Sequence, residues 1–382
     1  MTSPILWRGG EDLEFNIAGG YTSVTTGSTP GIFIDTTSGH FRAGYARYAL
    51  TIAATNLVSN NNGDNSVGVN TYFLTNAMPF NSGSFWFSAR ISNNGSGGNG
   101  VIYDGGWLLA FRDSSLVVRL QIQNTMSHVI NNLSPLGGPF IVQTVSTSGV
   151  ATQIGNALIF GPSLAPLIPD KIDIFVNYGT SGQVIIYING MKVYAYSGDI
   201  TASSGLSSLA TVSLSAVYQQ NNVNLTAATG GTSWSEVIVS TRDTRNMSLI
   251  TQVPVAAGVT DTFTAGSFSN VNGMTLNTTT PDYSSTAGQM QLYQAGGLPS
   301  GLFTILDLAH SFYVTVGDTG PQHLKCALEL GGTAYFSTSI APTIAWQNTQ
   351  YSWGATNPAT GVAWTPADVT ASGFNFGYES VT

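Results

Sequence analysis

The sequence predicts an all-β protein made of two antiparallel β-sandwiches, an N-terminal jelly roll and a smaller C-terminal one. Three observations carry that expectation. Charged residues are only 8% of the 382, against roughly 25% in ordinary globular proteins. Glycine is abundant, with 44 residues, and much of the polar remainder is Ser, Thr, Asn and Gln. Apolar residues recur with a period of two, and no helical period runs long enough for a crossover helix. Amphipathic helices need Lys, Glu, Arg and Gln outside, and the chain holds three lysines and five glutamates. Bundles, coiled coils and helical repeats are thereby excluded. An aromatic content of 11% excludes disorder.

The elements follow in order. Over 84–91, Phe85, Phe87, Ala89 and Ile91 share one face and Ser84, Trp86, Ser88 and Arg90 the other, the alternation of a half-buried strand. Residues 115–123 repeat it, with Leu116, Val118, Leu120 and Ile122 inward and Val117, Arg119, Gln121 and Gln123 outward. Residues 171–178 do so again, with Ile172, Ile174, Val176 and Tyr178 opposite Lys171, Asp173 and Asn177. Two β-rich runs, 184–188 and 191–196, flank Asn189-Gly190, the pair that best tolerates the positive φ of a type I′ hairpin turn. With the tight turn over 178–182, residues 171–196 read as a three-stranded meander. The run 235–240 closes the first domain.

Gln252-Val-Pro254-Val-Ala-Ala-Gly258 reads as a Pro/Gly-punctuated connector. The predicted domains are therefore 1–251 and 252–382. In the second, strands are expected from Phe263, around Met290–Tyr293, at Phe312–Val316 and at Phe374–Tyr378.

Charge and cysteine narrow the function. The net charge of −8 argues against nucleic acid, whose phosphates require concentrated Lys and Arg. Cys326 is the single cysteine, which rules out an intramolecular disulfide and an all-cysteine metal site. The start, Met1-Thr-Ser-Pro-Ile-Leu-Trp7-Arg8, lacks the pattern of a signal peptide. No run approaches the roughly 20 apolar residues of a membrane span. The expectation is a soluble protein made in a cytoplasm, without membrane insertion.

Candidate chemistry is sparse. Gly95-Ser-Gly-Gly-Asn-Gly100 matches the dinucleotide fingerprint in letters, but Val101-Ile102-Tyr103 follows as a strand where that motif needs a helix. A glycoside hydrolase needs two carboxylates across a cleft, and Glu11 and Glu14 are the only clustered glutamates; they read as an N-terminal turn. His40, His128, His310 and His323 are too far apart in sequence for a paired metal motif. The Asn60–Asn65 run fails the calcium-loop template, having one carboxylate. Trp86, Trp107 and Trp234 form a sugar-stacking surface or, by default in a sandwich, part of the core. The reading is of no catalytic residue, no metal and no cofactor, with binding residues left open.

Two stretches carry a resemblance. Asp170–Gly179 followed by Gly182–Gly190, with Tyr187-Ile188-Asn189-Gly190 at the turn, resembles the laminin-G/concanavalin-like jelly roll. Trp234-Ser-Glu236-Val-Ile-Val239, Asp243-Thr-Arg245-Asn246-Met247 and Pro254–Gly258 resemble a module of virion structural proteins of tailed bacteriophages. So do Trp346, Asn357–Gly361, Ala363-Trp364-Thr365, Asp368-Val369 and Phe376-Gly377-Tyr378. Asn246 stands where that module is expected to carry Gly, and Asn also tolerates the left-handed turn. The resemblance implies a non-enzymatic virion component, exposed in a tail tip, tail fibre or head decoration, with architectural rather than catalytic shared residues. Its partners would be other virion proteins and copies of itself, meeting through the weakly charged edges of 251–382. The alternative is a glycan-binding adhesin that recognises a host-surface glycan, with a polysaccharide hydrolase third.

Overall fold

The computed structural model describes residues 5–9, 21–26, 32–35, 49–55, 67–74, 83–95, 105–124, 139–159, 170–203, 209–219, 229–272, 279–298, 301, 303–370 and 372–382. The chain is all-β and forms two compact units, with Gly20–Leu249 in one and Ile250–Thr382 in the other.

The first unit is a jelly-roll sandwich of two sheets. One runs in the order Met191–Gly198, Gly182–Ile188, Asp170–Asn177, Ser84–Gly95, Thr229–Ser240, Ala49–Thr55 and Ile32–Asp35, with Ile5–Gly9 also paired to Thr229–Ser240. The other runs Ala151–Ile159, Pro139–Val145, Val118–Asn124, Gly105–Arg112, Thr211–Gln219, Val67–Leu74 and Tyr21–Thr26. The central pairings of both sheets are antiparallel. Alternation places Phe85, Phe87, Ala89 and Ile91 in the interior together with Leu109, Phe111, Leu120, Ile122, Ile172 and Ile174, all nearly inaccessible. Phe111 packs against Phe85 and Phe87 at 5.5 and 6.2 Å between ring centroids. Burying such rings contributes about 25 cal/mol for each Å² removed from water.

The predicted hairpin is present. Gly182–Ile188 pairs with Met191–Gly198, and Asn189 and Gly190 take φ values of 50° and 81°. Two local expectations need correction. Leu116 does not begin a strand: it sits at φ 64° in a turn, about half exposed, because Asp113 collects the amides of Ser115 and Val117 and closes the loop. The strand starts at Val118. Arg119, expected outward, is buried because it donates to Asp113 at 2.7 Å.

The second unit is a smaller sandwich. Its five-stranded sheet runs Pro254–Asp261, Met290–Ala295, Phe374–Val381, His323–Leu330 and Thr333–Phe336; Leu308–Val314 pairs with Gln347–Gly354. Leu328, Trp364, Val369 and Phe374 form its core, with Leu308, Trp353 and Phe376 packed around them. The expected connector from Pro254 is itself a strand: Pro254 stands first on an edge strand, where its missing N–H costs nothing. No strand begins at Phe263; Ala265 and Tyr283 make an isolated bridge instead. His323–Leu330 escapes alternation because Cys326, Ala327 and Leu328 are all buried, so both faces are covered at the middle of the strand.

His310 lies in this core against Trp353, Phe376 and Tyr378, at 5.5–6.2 Å between ring centroids. Neither ring nitrogen has a hydrogen-bond partner. Burial pushes its pKa from 6.5 down to about 3, so the fold admits only neutral imidazole. The unfolded chain takes up a proton below about pH 6.5 and the folded chain does not. Stability is therefore lost as pH falls through that window, at roughly 1.4 kcal/mol per pH unit for this group. Denaturation midpoints measured from pH 7 to pH 4 should show the loss, and His310→Leu should flatten it; an equally steep pH dependence in the variant would contradict this role.

Candidate functional site

The outer face of the first sheet, across the strands Ser84–Gly95, Asp170–Asn177, Gly182–Ile188 and Met191–Gly198, brings three outward aromatic residues together. Backbone pairing aligns Trp86, Phe175, Ile185 and Ala195 in one row. A second row holds Ser88, Asp173, Tyr187 and Lys192, and a third Ser84, Asn177, Gln183 and Ser197. Trp86 packs on Phe175 at 5.3 Å and stacks on Tyr187 at 6.0 Å. These three rings stay half-buried rather than closed off. The partly exposed rings are bordered by Asn177, Gln183, Ser84 and Ser197, which share the next row of the sheet.

Beside the rings, alternation breaks down for a reason. Lys171 and Asp173, expected to face water, are buried beneath the segment 241–247. The Lys171 ammonium donates to the backbone carbonyls of Thr244, Arg245 and Met247 at 2.7, 2.9 and 2.9 Å, which uses its three N–H groups. Asp173 supplies the counter-charge at 3.4 Å and accepts the Thr244 hydroxyl at 2.8 Å. Burial pulls the Lys171 pKa below the ordinary lysine range, and the Asp173 charge opposes that pull.

Next to this pair, Arg90 donates to Glu236 at 2.7 Å. Glu236 is 2% exposed and sits at φ 45°, where the pairing of Thr229–Ser240 shifts register between Ser235 and Ile238. That bulge turns the carboxylate toward Arg90, a use of irregular strand geometry to aim a side chain.

The segment 241–247 places Arg245 over the rings. Its guanidinium carbon lies 4.5 Å from the Tyr187 centroid and 5.7 Å from that of Trp86, within the range of cation–π attraction. Nε and Nη2 donate to both oxygens of Asp243 at 2.5–3.0 Å. The hydrogen bond from Arg245 holds the Asp243 carboxyl below its usual range.

The residues singled out from sequence fare differently. Glu11 and Glu14, His40 and His128, and Asn60–Asn65 lie outside the described residues. Gly95 ends a strand, and 96–100 lie outside them too. His310 is a core residue, and His323 pairs through Nδ1 with the Thr382 carbonyl oxygen at 2.9 Å. Of the tryptophans, Trp234 is fully buried and Trp86 faces outward; Trp107 lies on a strand, with its side chain outside the described set. Arg245, Phe175 and Tyr187 were missed, although the alternation of 171–178 and 184–188 already put both rings on the outward face. Among the described residues, no group of three or more His, Cys, Asp or Glu is placed to hold a metal ion. Nor is any helix long and apolar enough to cross a membrane.

No family model matches the chain, and no curated protein matches it. Solved structures do resemble it. An endo-β-1,4-glucuronan lyase from the fungus Trichoderma reesei is 10% identical with a TM-score of 0.39, over 62% of this chain and 96% of its own. A protein of unknown function with a galectin-like fold from Bacillus subtilis is 10% identical with a TM-score of 0.35, over 63% and 97%. The Emp47p carbohydrate recognition domain is 12% identical with a TM-score of 0.31, over 63% and 94%. No residue correspondence is drawn from these likenesses.

The arrangement makes Lys171 the anchor of 241–247. Lys171→Met should cost roughly 3–5 kcal/mol, the usual loss when one member of a buried charge pair is removed. It should also speed amide hydrogen exchange within 241–247. Denaturation and exchange mass spectrometry would check both; unchanged exchange there would show that the ammonium does not hold the segment.

Proposed function

We propose that this protein is a non-enzymatic glycan-binding protein that uses the outer face carrying Trp86, Phe175 and Tyr187. One observation carries the reading: three half-buried rings lie together on one sheet face, with amide and hydroxyl side chains along their border. A sugar ring presents a face of C–H bonds edged by hydroxyls. Aromatic carbon takes the first, and Asn, Gln and Ser take the second. Contiguous apolar surface rimmed by polar groups is what a soluble fold otherwise avoids exposing.

The non-enzymatic part rests on the carboxylates. Asp173 and Glu236, both nearly inaccessible, are each paired with a cation. Glycoside hydrolysis needs two carboxyl groups flanking the substrate, free to hold and move protons. Neither of these is so placed.

Trp86→Ala and Tyr187→Ala should each weaken binding to an immobilised panel of bacterial surface polysaccharides about ten-fold or more, with no release of reducing ends by the parent protein. An absence of binding in the parent, or equal binding by both variants, would overturn the reading.

The setting that the sequence resemblance implies is the exterior of a tailed-phage particle, where such a face would meet a host glycan. The stretches 234–258 and 346–378 and the low charge support it. Antibodies against this chain should label intact particles; label confined to the lysate supernatant would contradict it.

A further inference from the structure

We infer that the glycan taken by this face is anionic and carries carboxylates, and that Arg245 is the residue that selects it. This rests on the glycan-binding reading above and adds the ligand's charge class.

Basic residues are scarce, eleven in a chain of net charge −8. Arg90, Lys171, Lys192, Arg242 and Arg245 nevertheless all lie on this face or on the 241–247 segment beside it. Among the described residues, the carboxylates facing them are Asp173, Glu236 and Asp243. Five positive against three negative charges leaves a local surplus of two in a molecule that is otherwise acidic. The buried pairs Lys171–Asp173 and Arg90–Glu236 neutralise one another. The surplus therefore sits on the exposed groups Lys192, Arg242 and Arg245.

Arg245 has the geometry to use it. A guanidinium offers two edges to a carboxylate, Nε–Nη2 from the side and Nη1–Nη2 from the end. Asp243 occupies the side edge. Nη1 donates to none of the described residues, and the side chain is 39% exposed. The end edge is thus open beside the aromatic patch, while the guanidinium itself covers the Tyr187 ring. The backbone of Arg245 is fixed from below, because its carbonyl accepts from Lys171. A sugar ring lying on Phe175 and the exposed part of Trp86, with a carboxylate substituent toward Arg245, meets both features at once. A neutral sugar leaves the end edge to water.

The test uses the full chain and three polymers: polyglucuronate, dextran and dextran sulfate, with affinities from calorimetry. In 50 mM NaCl the protein should bind polyglucuronate at least ten-fold more tightly than dextran, and 500 mM NaCl should shrink the difference through screening. Arg245→Gln should bring the ratio of polyglucuronate to dextran affinity down to about one, while Arg245→Lys, which keeps the charge, should retain part of it. Equal affinity for dextran and polyglucuronate would overturn the charge class and leave the glycan reading standing. Binding to none of the polymers would overturn both. A preference that survives Arg245→Gln, or dextran sulfate bound as tightly and insensitive to that variant, would remove Arg245 from the selecting role.

Discussion

A lysine ammonium buried beneath the loop that follows an interior strand organises the outer face of the first unit. Lys171 leaves water on the outer face of its strand, and an ion so placed must find oxygen on every side. It finds three backbone carbonyls and one carboxylate. Those carbonyls all belong to 244–247, so solvating the ion and fixing the segment are one event. A positive charge bound by main-chain oxygens and an aspartate performs, with a side chain, what a bound cation does for a loop. The Arg245 guanidinium is then delivered over Tyr187 and Trp86 by a backbone that cannot drift far.

The same constraint explains why the bulge at Glu236 is tolerated. A non-glycine residue at positive φ is strained, commonly by 1–3 kcal/mol. Here the strain brings a carboxylate to within 2.7 Å of Arg90, which would otherwise stand beside Lys171 with its charge unanswered. Four charges therefore share one small, largely dry area without a net excess. The segment covers the charged end of the face, and only its Arg245 side chain reaches over Tyr187 and Trp86, which leaves those rings half-buried. Polar burial in the second unit follows a different logic, since His310 has no counter-charge among its aromatic neighbours and stays neutral.

Much of the sandwich was legible in the sequence, because strands with one wet face write their period directly. Phe85 to Ile91 and the Asn189-Gly190 turn are local features, settled by alternation and by the backbone freedom of two residues. Legibility failed where a distant segment overrode the period. Lys171 and Asp173 have outward parity, and only a loop seventy residues later in the chain buries them. His323–Leu330 hid because both faces are covered over Cys326–Leu328 at its middle, and Pro254 disguised an edge strand as a linker. Of the candidate site, Trp86 stood in the sequence as one of three tryptophans read either as a sugar-stacking surface or as core, whereas Arg245 carried no such signal. Its position depends on three carbonyl contacts with no signature in residue order.

The central claim is that one face, and the loop that Lys171 fixes beside it, contacts the ligand. Hydrogen–deuterium exchange of the full chain with and without polyglucuronate tests it most directly. The account predicts added protection in 84–91, 171–177, 183–188 and 241–247, and no change in 308–314 or 374–381. Protection that appears in the second unit, or on the opposite sheet at 118–124 and 139–145, while 84–91 and 241–247 stay unchanged, would contradict it.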